Sequence, residues 1–138
     1  MSSKGKGTRA ERELIHMFHD TKTWIALRAA GSGSTPLPCP DLLAGNNIRK
    51  LAIECKSIKS RKKYFDKIEI KELIEFSTIF GAEPWLAVRY DNEGWYFVTP
   101  EDLEETKKGN PSLSLHVAMK KGLRFPELIG IFKQQKLD

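Results

Sequence analysis

The stretch Leu51-Ala52-Ile53-Glu54-Cys55-Lys56 constrains this chain more than any other. It reads as a strand; side chains alternate along a strand, so Leu51, Ile53 and Cys55 point one way and Glu54 and Lys56 share the opposite face. A Glu and a Lys side by side on a central strand are costly unless a site uses them. Upstream, Pro40-Asp41 precedes the short apolar stretch Leu42-Leu43-Ala44, which ends at Gly45. A turn through Asn46-Asn47 would fold that stretch back against the strand carrying Glu54. The spacing therefore predicts that Asp41 and Glu54 converge on one cation, with the Lys56 ammonium beside them.

Around this pair the hydrophobic periodicity orders the chain. Met1–Gly7 reads as a flexible basic arm. Thr8 begins a helix with Thr-x-x-Glu capping-box spacing to Glu11, and Leu14, Ile15 and Phe18 form its apolar stripe. Trp24–Arg28 reads as a first strand, and Ala29 to Pro40 as a loop rich in Gly, Ser and Pro. Asp41–Ala44 and Ile48–Lys56 are the second and third strands. Ser57–Lys67 is a basic connector. Ile68–Phe80 is an amphipathic helix with Ile70, Leu73, Ile74, Ser77 and Phe80 on one side, stopped by Gly81. Pro84–Tyr90 and Trp95–Val98 form a hairpin, Thr99-Pro100-Glu101-Asp102 starts a helix, and Leu113, Leu115 and Val117 alternate as a last strand. Pro126–Phe132 is a short terminal helix and 133–138 a flexible tail. The order predicts one mixed α/β domain across residues 1–138.

Charge narrows the partners. The net +5 is uneven: Arg49 to Lys67 holds eight Lys or Arg against two acids, and Met1 to Arg12 holds four against one. A basic face on a mildly acidic body suggests a polyanion partner; a solvated lysine-rich loop is the plainer alternative. No apolar run approaches the roughly 20 residues of a membrane span, and the polar N-terminus has no signal-peptide core. Cytoplasmic residence is the expectation, with Cys39 and Cys55 as reduced thiols, Cys55 in the core and Cys39 packing near Asp41. His16 and His19 lack the companions a structural zinc site needs.

Several segments resemble one family in the same order: Arg9-Ala10-Glu11-Arg12-Glu13-Leu14-Ile15, Arg28-Ala29-Ala30-Gly31-Ser32, Pro40-Asp41-Leu42-Leu43-Ala44-Gly45, Ile53-Glu54-Cys55-Lys56 and Leu73 to Gly81. The chain resembles the archaeal Holliday-junction resolvases, a branch of the PD-(D/E)-x-K nucleases with the restriction-endonuclease-like fold, a central mixed β-sheet flanked by helices. The resemblance implies catalytic roles for Glu11, Asp41, Glu54, Lys56 and Ser32, with Glu11, Asp41 and Glu54 as metal ligands. It implies Mg²⁺ as cofactor, with Mn²⁺ as a substitute. It also implies a homodimer, with part of the Phe76 and Phe80 helix meeting the partner subunit. The substrate it implies is a four-way DNA junction, cut by paired symmetric nicks that leave 5′-phosphate and 3′-hydroxyl ends in recombination and repair.

The residues suit that chemistry. Mg²⁺ prefers oxygen ligands and lowers the pKa of its water. Lys56 can orient the attacking water or stabilise the developing phosphorane charge, and the sequence does not separate these roles. Glu11 has two readings, a helix cap and a metal ligand. The basic residues Lys4, Lys6, Arg9, Arg12, Arg28, Arg61, Lys62 and Lys63 are the expected DNA contacts. They would hold backbone phosphates and recognise shape, not sequence. Two other readings stay in play: another nuclease of the superfamily, and a junction-binding protein without catalysis. The tail Ile131-Phe132-Lys133-Gln134-Gln135 departs from the usual order of a sliding-clamp motif, which disfavours the clamp as a partner.

Overall fold

The strand that carries Glu54 and Lys56 lies at the centre of the main sheet. The computed structural model describes residues 3–29 and 37–130, with side chains in the first helix from Thr8 onward. In chain order the elements are α1 (Ser3–Asp20), β1 (Ile25–Arg28), β2 (Leu42–Gly45), β3 (Lys50–Ile58), β4 (Lys62–Tyr64), α2 (Lys67–Phe80) and β5 (Glu83–Tyr90). There follow β6 (Gly94–Val98), a 3₁₀ turn (Pro100–Asp102), β7 (Glu104–Glu105), β8 (Pro111–Ser114), α3 (Leu115–Lys121) and α4 (Phe125–Leu128). The main sheet has the order β1-β2-β3-β5-β6, and a three-stranded sheet has the order β4-β8-β7. Within the main sheet β3 and β5 run parallel and the other neighbours antiparallel. A parallel pair needs a crossover, which α2 supplies.

Each face of the main sheet has its own core. Leu51, Ile53 and Cys55 face Leu14 and Phe18 of α1, together with Trp24, Phe97 and Leu128. Ala52 and Ile58 face the opposite way, toward Ile70 and Leu73 of α2 and Leu113, Leu115 and Ala118. Fully burying a side chain such as Leu14 or Phe18 contributes about 1.5–3 kcal/mol. α2 is fixed at both ends. The Asp66 carboxylate accepts from the Ile68 N–H at 2.8 Å, and Gly81 ends the helix at φ +86° with its N–H on the Ser77 carbonyl. That φ is open to glycine at little cost.

Several sequence expectations change. α1 begins at Ser3, so Thr8 lies inside the helix and 3–7 are helical, not an arm. The basic connector contains β4, whose Lys63 pairs in register with Leu113. Leu113, Leu115 and Val117 do not share one strand: β8 ends at Ser114, whose hydroxyl caps α3 by accepting from the Val117 N–H. The helix expected from Thr99 is a single 3₁₀ turn, Pro100–Asp102. On α2 the buried face is Ile70, Leu73 and Ser77, while Ile74 and Phe80 are exposed. The terminal helix is confined to Phe125–Leu128 among the described residues, and the 133–138 tail and clamp-like segment lie outside them.

Candidate active site

β2 and β3 pair with Leu42 opposite Ile53. One step further, the same antiparallel register sets Asp41 opposite Glu54. The β2–β3 turn holds that register. The Asn46 side-chain oxygen accepts from the N–H groups of Ile48 and Arg49, and Asn47 takes a positive φ of 86°. Asp41 is anchored in turn, because its Oδ2 accepts from the Cys55 N–H at 2.9 Å. The turn inferred from Asn46-Asn47 thus does bring Asp41 to the strand of Glu54.

Glu54 is buried, at 6% exposure. Its carboxyl is pushed up to about 9, by burial first, then by the charges of Asp41 and Glu69, against the pull of Lys56. Lys56 lies on the same face and donates to Glu69 Oε2 at 3.0 Å. Burial acts to lower its pKa, but the Glu69 hydrogen bond and the charges of Glu69, Glu54 and Asp41 outweigh it and raise it.

Glu11 follows the buried stripe of α1, in line with Leu14 and Phe18 at helical spacing. Its Oε1 lies 2.9 Å from Arg28 Nε, as an ion pair. That buried oxygen receives no well-aligned hydrogen bond from the described residues. Burial, then Asp41, raises the Glu11 carboxyl, and Arg28 opposes them. Because Thr8 is interior to α1, the capping-box reading of Glu11 falls away.

The residues fit a hard divalent cation in donor chemistry. Two carboxylates, Glu11 and Glu54, sit where burial and the nearby charge of Asp41 oppose their ionisation, which a cation would relieve. Yet among the described residues no three His, Cys, Asp or Glu side chains are drawn together closely enough to hold a metal. Glu11 is turned to Arg28, Asp41 to the Cys55 amide, and Glu54 toward Glu69.

Of the remaining candidates, Arg9, Arg12, Arg61 and Lys62 are exposed, Lys63 is half-buried, and Arg28 is exposed but engaged with Glu11. Lys62 also lies over the Tyr64 ring. Phe76 and Phe80 stack with centroids 5.1 Å apart, and Phe80 is exposed. Ser32 and the side chains of Lys4 and Lys6 lie outside the described residues. Both cysteines are free, Cys55 buried and Cys39 half-buried. Glu69 was not among the sequence candidates. Its signal was the Asp66-x-x-Glu69 spacing, which reads as a helix cap.

A carboxylate pair set across two strands, with a lysine on the same face of a central mixed sheet, defines a protein of the restriction-endonuclease-like nuclease class. A family model described as archaeal Holliday junction resolvase (Hjc) matches residues 2–137. The chain is similar to the crossover junction endodeoxyribonuclease Hjc of Archaeoglobus fulgidus, 38% identical over 96% of each chain. It is also similar to that of Methanocaldococcus jannaschii, 35% identical over 96% of this chain and 93% of the relative. The solved structure of Archaeoglobus fulgidus Hjc, described as a Holliday junction resolvase from an archaeal hyperthermophile, superposes with a TM-score of 0.83. That match has 36% identity and covers 90% of this chain and all of the other. The chain belongs to the archaeal Holliday junction resolvase (Hjc) family.

Proposed function

We propose that this chain is a Holliday junction resolvase, a divalent-metal-dependent endonuclease that cuts four-way DNA junctions by paired symmetric nicks. The observation that carries the reading is Asp41 set opposite Glu54 in register, with Lys56 on the same face, in a chain of this family. Asp41, Glu54 and Glu11 are the residues that would hold Mg²⁺, or Mn²⁺ in its place. When bound, the ion supplies Lewis-acid charge neutralisation and a more acidic water.

The chain's own residues do the rest. The Cys55 amide holds the Asp41 carboxylate against β3. Burial removes competing water from Glu54. Lys56 brings a positive charge to the side where the phosphate gains negative charge, and its ammonium can orient the attacking water. Hydrolysis then leaves 5′-phosphate and 3′-hydroxyl ends. Ser32 is assigned a supporting role at the phosphate.

A four-way junction has approximate two-fold symmetry, and one chain carries one such site. A two-fold dimer supplies two matched sites, with the ridge of half-buried Phe76 and exposed Phe80 as its interface. Arg9, Arg12, Arg28, Arg61, Lys62 and Lys63, with Lys4 and Lys6, would grip backbone phosphates. Among the described residues no helix is long and apolar enough to cross a membrane. On this reading the chain works in the cytoplasm, in recombination and repair.

The test incubates purified protein with a four-way junction and with a linear duplex of the same sequence, with Mg²⁺ and without it. Symmetric nicks in the junction, dependent on the metal, are expected. Equal cutting of the duplex would sink junction selectivity, and cutting without metal would sink the cation.

A further inference from the structure

We propose that Glu69 is a positioning residue that holds the Lys56 ammonium in place and away from the two carboxylates meant for the cation. The inference rests on the reading of Lys56 as a catalytic residue of a junction nuclease. Its ground is the geometry of α2 against β3. Lys56 Nζ and Glu69 Oε2 are 3.0 Å apart, and both side chains are about a quarter to a third exposed. Glu69 stands in the first turn of α2, at the position from which a capping-box glutamate reaches back to the helix start. Its carboxylate turns to Lys56 instead, while Asp66 caps the Ile68 amide.

α2 is a firm base for such a tether. Ile70 and Leu73, which flank the first turn, are buried in the core, and Ser77 is buried below them. A lysine has four rotatable bonds, and an untethered ammonium on this face would swing between the carboxylates around it. Glu69, Glu54 and Asp41 all act on Lys56 at electrostatic range, and Lys56 in turn acts on Glu11. A direct pair with Glu54 or Asp41 would occupy oxygens that a divalent ion needs. The pair with Glu69 keeps the ammonium out of such a pair and at a fixed place beside Glu54, which Glu69 also contacts. Glu69 therefore acts through Lys56 and touches neither substrate nor cation in this role.

The test compares wild type with Glu69→Gln, Glu69→Asp and Lys56→Ala. Three readouts are taken: single-turnover junction cleavage, junction Kd, and the rate of reductive methylation of Lys56 in the metal-free protein, followed by mass spectrometry. Glu69→Gln keeps the size and removes the charge, and circular dichroism checks its fold. The expected result is cleavage slower by about 10- to 100-fold, the scale of a misplaced catalytic group. Junction Kd stays within about twofold and Lys56 is methylated several-fold faster, in line with loss of a charged hydrogen-bond partner. Glu69→Asp restores part of both. Unchanged cleavage in Glu69→Gln, unchanged Lys56 labelling, a loss of junction affinity that accounts for the slower cutting, or loss of the fold would each overturn the inference. The Lys56→Ala arm separates the two layers. If Lys56→Ala cuts like wild type, the reading of the site fails; if it is slow and Glu69→Gln is not, the inference alone fails.

Discussion

Replacing Glu54 with Gln removes the group whose ionisation the fold opposes most visibly. In the unfolded chain a glutamate titrates near 4.5, whereas in the fold the Glu54 carboxyl is pushed up to about 9, by burial first and then by Asp41 and Glu69. The folded state thus binds the proton more tightly than the unfolded state. For a raised pKa the stabilising contribution is complete below about 4.5 and is lost as pH rises toward 9. Within that window each pH unit costs about 1.4 kcal/mol. Between pH 5.5 and 8.0 the metal-free wild type should therefore lose about 3 kcal/mol from this group, or roughly 10 °C in Tm for a domain of this size. Glu54→Gln keeps the shape, has no proton to lose, and should show that part of the pH dependence flattened. The assay is urea and thermal unfolding of EDTA-treated protein, wild type and variant, at several pH values across the window. Parallel pH profiles for the two proteins would refute the reasoning, because the pH dependence would then belong to other groups.

Other outcomes follow from other parts of the molecule. Arg49 forms a two-pronged pair with Glu83 at 2.8 Å and donates to the Leu128 carbonyl at 2.6 Å. Arg49→Met should cost about 2 kcal/mol in urea unfolding, allowing for partial solvent screening of the pair; an unchanged midpoint would contradict the role. If the proposed dimer forms through this ridge, Phe80→Asp should leave the fold intact and shift the wild-type dimer to monomer in sedimentation velocity; a variant that stays dimeric would place the interface elsewhere, and a monomeric wild type would refute the dimer. Changing Arg61, Lys62 and Lys63 together to Ala should weaken junction binding and lower its log-salt slope by roughly 2 to 3, about 0.9 for each lost phosphate contact. An unchanged slope would remove this segment from the DNA face.

The central strand was legible because its alternation and its two charges conflict with an ordinary core, and a site resolves the conflict. Asp41 was legible through its neighbours, since Gly45 and Asn46-Asn47 mark the turn that returns the chain to β3. Glu69 was not, because its spacing to Asp66 has a sufficient local explanation as a cap, and the reach to Lys56 is tertiary. The same local logic misled at Glu11: Thr-x-x-Glu looked like a helix start, while Gly5 and Gly7 disfavoured extending the helix to Ser3, where it begins. Leu113, Leu115 and Val117 fit a strand by alternation, but Ser114 caps a helix there, with Leu115 and Ala118 buried one turn apart. β4 and β7 are short and charged, and only pairing with β8 makes them strands. The Arg49–Glu83 pair joins positions too far apart in the chain for local pattern to link.

The β2–β3 turn makes loop length a matter of chemistry. Gly45 pairs with Lys50, so four residues, Asn46 to Arg49, separate the two strands. Side chains alternate with a period of two, and a slip of one residue would move Asp41 from the position opposite Glu54 and turn its carboxylate to the other face of the sheet. The turn lies about 13 Å along the strand from Asp41. Its residues can vary in kind as long as they bend the chain, but their number sets the parity of the ladder. An insertion there would act on the site as surely as losing the aspartate, without touching a single residue in it.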